Sequence, residues 1–130
     1  MYVSFIITSH TLKKVSTIIN KRIGKIMEKI AFKMKLKPGC KMEYKRRHDE
    51  IWAELKELLS ESGVQDYTIF LDEETNTLFA VQYQEGDSSL QDLGSNPIVQ
   101  KWWKYMSDIM ETNSDSSPIS ILLEKVFHMD

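Results

Sequence analysis

Two residues one helical turn apart, Tyr44 and His48, carry the groups in this chain best suited to moving protons. On a helix, positions 44, 48, 51, 55, 58, 59 and 62 share a side, reading Tyr, His, Ile, Leu, Leu, Leu, Ser. Trp52 falls at the edge of this stripe, while Glu43, Arg46, Glu50, Glu54, Glu57 and Glu61 lie opposite it. A helix buries its apolar stripe, so the phenol and the imidazole point inward. Both need hydrogen-bond partners there, from the protein or from a polar ligand. Further along, Tyr67 and the Trp102-Trp103 pair complete a set of aromatic candidates. Two readings fit this set. In one, the aromatics are core and His48 is a satisfied interior histidine. In the other they form a carbohydrate site, where indole faces stack on sugar C–H groups and the phenol and imidazole handle oxygens.

Other chemistries find less support. His10, His48 and His128 are far apart and no His-x-x-x-His or Glu-x-x-His pair occurs, so no metal site is expected. The five glycines are isolated, giving no phosphate loop, and no Gly-x-Ser-x-Gly elbow is present. Cys40, the single cysteine, excludes an internal disulfide. It follows Pro38-Gly39 at a helix start without an adjacent base, and is read as structural.

The elements that position these residues follow from periodicity. Ile30 to Leu36 alternates as a strand with one wet face. Pro38-Gly39 turns into one long helix over about 40–62, capped by Gly63. Tyr67–Leu71 and Leu78–Tyr83 form a hairpin across five polar residues. Residues 85–96 are polar, with at most a short helix around Leu90. A helix opens at Asn96-Pro97 and carries Trp102, Tyr105, Met106 and Ile109. Thr112–Pro118 is loop, and Ile121–His128 has the length of a last strand. Strand, helix, strand, strand, helix, strand is the split βαβ, ferredoxin-like α+β pattern. Helices on one sheet face leave the other needing cover, which a homodimer would supply as a dimeric α+β barrel.

A chain of 130 residues, 42% apolar and 28% charged, suits one soluble domain. Residues 1–26 carry five basic residues and no acid, which leaves the remainder at a formal charge of −7. That acidic body argues against nucleic-acid binding. The apolar run Tyr2–Ile7 is too short to span a bilayer and has no charged segment before it. Residues 1–26 are therefore expected to be a dispensable basic extension, with residues 27–130 as the domain.

Tyr44-x-Arg46-Arg47-His48-x-x-Ile51-Trp52-x-Glu54-Leu55, then Tyr67-x-Ile69-x-Leu71-Asp72, Leu78-Phe79-Ala80 and Trp102-Trp103-x-Tyr105-Met106, resembles L-rhamnose mutarotase. The likeness extends from about Met27 to the C-terminus, with Ala53 standing where the family pattern has proline. The resemblance implies a cytoplasmic ferredoxin-like homodimer, an isomerase interconverting the α and β anomers of L-rhamnose without cofactor or membrane. It implies Tyr44 as proton donor, with His48, Tyr67, Trp102 and Trp103 around the sugar. The residue types suit this. Neutral imidazole, of reference pKa near 6.5, is a base near neutrality, and tyrosine, near 10, stays a donor. The roles could exchange between anomers. Two alternatives use the same aromatics: a barrel monooxygenase on an aromatic substrate, and a non-catalytic sugar-binding module.

Overall fold

A computed structural model describes residues 27–85 and 93–130. The elements run β1 (Met27–Lys35), α1 (Lys41–Asp49), α2 (Ala53–Glu61), β2 (Gln65–Asp72), β3 (Thr77–Glu85), α3 (Pro97–Met106) and β4 (Ile121–Leu122). The sheet order is β2-β3-β1-β4 with every pairing antiparallel, the ferredoxin-like arrangement that the sequence pattern implies. The basic extension over 1–26 and the short helix around Leu90 lie outside the described residues.

Strand alternation fixes the two faces. β1 pairs with β3 over nine residues, from Met27 against Glu85 to Lys35 against Thr77. The β2–β3 turn is closed by Asp72, whose carboxylate accepts from the Glu74 amide and the Thr75 hydroxyl, and Asn76 takes the left-handed conformation (φ 57°) that ends it. One sheet face carries Met34, Leu36, Leu78 and Ala80, all buried with Leu55, Val99, Trp102 and Met106 of the helices. The other carries Phe70, 60% exposed, with Phe79, Val81 and Tyr83 half-buried.

The single long helix is instead two. After Asp49 the last turn tightens, with the Ile51 amide donating to the His48 carbonyl. Trp52 then adopts extended backbone (φ −59°, ψ 133°) before α2 begins. The break swings the Trp52 ring onto Tyr105 (centroids 5.5 Å, 29°) and against the Trp102 edge (5.1 Å, 87°). Burying even half of an indole's roughly 150–250 Å² at about 25 cal/mol per Å² contributes about 2–3 kcal/mol. That burial and the aromatic contacts offset the helical hydrogen bonds forgone at the break.

The last strand is also shorter than its sequence suggests. Only Ile121 and Leu122 pair, with Lys33 and Phe32 of β1, and the Leu123 amide adds one bond to the Ala31 carbonyl. Residues 124–130 have no regular structure, and Val126, Phe127 and Met129 are exposed. Among the described residues nothing packs over these apolar side chains, and the pairing stops where packing stops.

Candidate active site

Between the helix-side face of the sheet and the helices lies a cavity of about 1310 Å³. Tyr44, His48, Tyr67, Trp102 and Trp103 all line it, so the fold gathers every candidate from the sequence into one place. Its volume exceeds the usual pocket range of roughly 300–1,000 Å³ because it runs along most of that face. A smaller opening of about 410 Å³, lined by residues such as Glu54, Glu57 and Lys101, lies away from them.

Each side chain has a local reason for its position. Gly39, in the left-handed region (φ 78°), turns β1 into α1. Tyr44 and His48 then share the inner side of α1, with their rings stacked at 4.3 Å and 28°. A register shift in β2 between Gln65 and Thr68, with Asp66 at φ 49°, bulges the strand and sets Tyr67 on the cavity face. On α3, the Asn96 side chain accepts from the Ile98 amide at 2.9 Å and Pro97 opens the first turn. That start phases Trp102 into the core and leaves Trp103 half-buried at the cavity wall. The Trp102 ring meets His48 edge-on at 5.4 Å and 88°.

The hydrogen bonds of His48 fix its tautomer. Its Nδ1 lies 3.1 Å from the Tyr44 carbonyl oxygen. A carbonyl only accepts, so Nδ1 carries the proton and Nε2 of the neutral ring keeps its lone pair. Burial lowers the His48 pKa below 6.5, against smaller opposing effects of the Tyr44 carbonyl and Asp49. The ring is therefore neutral at pH 7. The Tyr44 phenol is shifted the other way, raised by burial and then by the neighbouring Tyr67, and stays protonated. Its hydroxyl makes no hydrogen bond to a described residue, and no described side-chain nitrogen or oxygen is sealed off without a partner. The Tyr44 oxygen therefore reaches the cavity, although the residue is 8% exposed. Desolvation pushes the Tyr67 phenol up to about 12, while 40% of the residue's surface stays open. The result is a neutral base and a neutral acid, side by side, facing a space partly walled by indoles.

Arg47 holds this arrangement together and was not singled out from sequence. Its buried guanidinium donates from Nε to the Glu43 carboxylate (2.7 Å) and from Nη1 to the Tyr105 carbonyl (2.7 Å), and grips Asp108 through both terminal nitrogens (2.8 and 3.1 Å). It also lies 4.5 Å over the Tyr105 ring. These bonds strap α1 to the end of α3, fixing His48 against Trp102. In return Arg46 and Arg47 hold the Glu43 carboxyl down at about 2, and Arg47 lowers that of Asp108. The available signal was an arginine beside the inward His48 and an acid at the end of the tryptophan helix. The 61-residue separation hides their pairing.

Comparison with known proteins gives the lineage. Residues 29–129 match the family model described as L-rhamnose mutarotase. The chain belongs to the L-rhamnose mutarotase family. It is 62% identical over 104 residues to the L-rhamnose mutarotase of Bacteroides thetaiotaomicron and 60% identical over 104 residues to that of Phocaeicola vulgatus. In each case the match spans 80% of this chain and 100% of the relative. A crystal structure of L-rhamnose mutarotase from Formosa agariphila superposes with a TM-score of 0.74 at 57% identity, covering 79% of this chain and 99% of that one. The family likeness of the Tyr-x-Arg-Arg-His and Trp-Trp segments therefore holds at the level of sequence and fold.

Proposed function

We propose that this protein is an isomerase that interconverts the α and β anomers of L-rhamnopyranose, with Tyr44 and His48 as the acid–base pair. In the forward step His48 Nε2 takes the proton of the anomeric hydroxyl, C1=O forms, the C1–O5 bond breaks, and O5 receives the Tyr44 proton. Rotation about C1–C2 presents the other carbonyl face. On reclosure O5 attacks C1 and returns its proton to Tyr44, while the new anomeric oxygen takes the imidazolium proton. Both groups end as they began, so the cycle needs no net proton and no redox partner. The transient imidazolium and phenolate would sit in stacked rings 4.3 Å apart, where their opposite charges attract. Acid–base assistance of this kind is worth on the order of 10²–10⁴ in rate. Tyr67, Trp102 and Trp103 serve as the substrate-binding walls.

The observation that carries this reading is the Nδ1 bond to the Tyr44 carbonyl, which leaves a lone pair on Nε2 next to a cavity-facing phenol. NMR saturation transfer between the two anomeric protons of L-rhamnose tests it, with fucose, mannose and ribose as comparison sugars. The expected result is faster exchange with protein than in buffer. Exchange at the buffer rate despite bound sugar would overturn it.

Residues 27–130 are read as the mutarotase domain, following the family match that begins at residue 29. A homodimer is supported by the apolar outer sheet face and by the exposed Val126 and Phe127 beyond β4. Among the described residues no helix is long and apolar enough to cross a membrane, and the free thiol of Cys40 suits a reducing cytoplasm.

A further inference from the structure

The geometry points to a second polar element in the cavity: Gln82 and Gln84 of β3 form an amide pair that binds two ring hydroxyls of the sugar, away from its anomeric carbon. Both residues line the cavity on the helix side of the sheet. The surrounding surface of that face is hydrocarbon, including Ile30, Phe32, Met34, Ile69 and Leu78. Gln82 is 1% exposed and is the most buried uncharged polar residue among those described. Its Nε2 donates to Gln84 Oε1 at 3.1 Å. A glutamine amide has two N–H donors and two acceptor lone pairs, so a single bond leaves most of this capacity unused.

Both amides border the cavity, Gln82 buried and Gln84 half-buried. No described side-chain nitrogen or oxygen is sealed away without a partner. The Gln82 carbonyl oxygen has no donor among the described residues. One amide–amide bond always leaves one C=O and one NH₂ behind, whichever way round the two amides are built. A donor and an acceptor side by side match a pair of sugar hydroxyls, each of which can give and take. A leucine of similar volume would bury more favourably at position 82 if nothing polar ever occupied the space. The amide is compensated when a polar ligand satisfies it.

Its placement suits the far edge of the substrate. The β2 bulge sets Asp66 and Tyr67 opposite Gln82, because Gln65 pairs with Tyr83 and Thr68 with Val81. Tyr67 in turn is close enough to Tyr44 to disturb its ionisation. A line of polar groups thus runs from the acid–base pair on α1, through Tyr67, to the two amides on the sheet. A pyranose held with C1 and O5 at Tyr44 and His48 would direct its other hydroxyls toward that line. This assignment rests on the mutarotase reading above.

The test compares wild type with Gln82→Leu and Gln84→Leu, following anomeric exchange of L-rhamnose and of its analogues lacking the hydroxyl at C2, C3 or C4. In wild type, removal of one of these hydroxyls should lower kcat/KM on the order of tenfold. In either variant KM for L-rhamnose should rise by a similar factor with kcat changing less, and that analogue should no longer be disfavoured. Gln84 is only half-buried, so Gln84→Leu decides the matter if Gln82→Leu does not fold. Undiminished discrimination among the analogues in the folded variants would overturn the amide pair while leaving the mutarotase intact. A wild type without exchange activity would instead remove the mutarotase reading itself.

Discussion

Replacing Tyr44 with phenylalanine separates chemistry from architecture. The ring stays, so its stack on His48 at 4.3 Å and its place in the core are retained. The carbonyl that orients His48 belongs to the backbone and is untouched. What leaves is one hydroxyl that makes no hydrogen bond to any described residue. Losing an unmade bond costs nothing, and losing a partly desolvated hydroxyl slightly favours the folded state. The expected change in unfolding free energy is therefore within about 0.5 kcal/mol. Activity should respond differently. If the phenol protonates the ring oxygen, its removal should cost roughly 10²–10⁴ in kcat, or about 3–5 kcal/mol in barrier at 1.36 kcal/mol per tenfold. Saturation transfer gives the rate, thermal unfolding gives the stability, and titration of sugar-dependent tryptophan fluorescence gives binding, which should change only modestly. Full exchange activity in Tyr44→Phe would refute the proton-transfer role. A large loss of stability would show instead that the hydroxyl has a partner within the protein.

Further outcomes follow from other residues. His48 is shifted below 6.5, so the neutral base persists at pH 7 and activity should fall only as pH drops below that value; an acidic limb centred above 6.5, or full activity in His48→Ala, would contradict its role. Arg47→Met keeps the alkyl stem but drops the strap between α1 and α3. Because Glu43 and Asp108 can rehydrate, it should destabilise by about 2 kcal/mol, rather than by the full cost of a broken buried pair, as checked by denaturant titration. The carboxyls of Glu43 (held at about 2) and Asp108 are both lowered, so their contribution is full above the ordinary range near 4.5 and lost as pH falls toward 2; the fall in wild-type melting temperature over that window should shrink in Arg47→Met. Finally, Trp102→Ala removes a core side chain and should cost about 3–5 kcal/mol of stability, whereas Trp103→Ala, at the cavity wall, should mainly raise the dissociation constant for L-rhamnose.

Local pattern determined a good deal of this protein. The alternation of Ile30, Phe32, Met34 and Leu36 set the inner face of β1, and the Asn96-Pro97 opening set the phase of α3 and with it Trp102. The four-residue step from Tyr44 to His48 put both rings on one side of α1, because helical spacing depends on sequence distance alone. Ala53 concealed the helix break: proline at that position, the first of α2, would have marked it, whereas alanine continues a helix as well as any residue.

Tertiary structure decided what depends on distances between elements. The break at Trp52 exists because an indole finds Tyr105 and Trp102 on another helix. Arg47 reads as one more surface charge until Asp108 and the Tyr105 carbonyl, some sixty residues away, close around it. The shortness of β4 and the burial of Gln82 beneath a cavity follow from what packs nearby, or fails to. Periodicity assigns a side chain to a face, but only the folded chain sets what stands opposite it, and here it sets Tyr67 and the two indoles around the cavity that Tyr44 and His48 line.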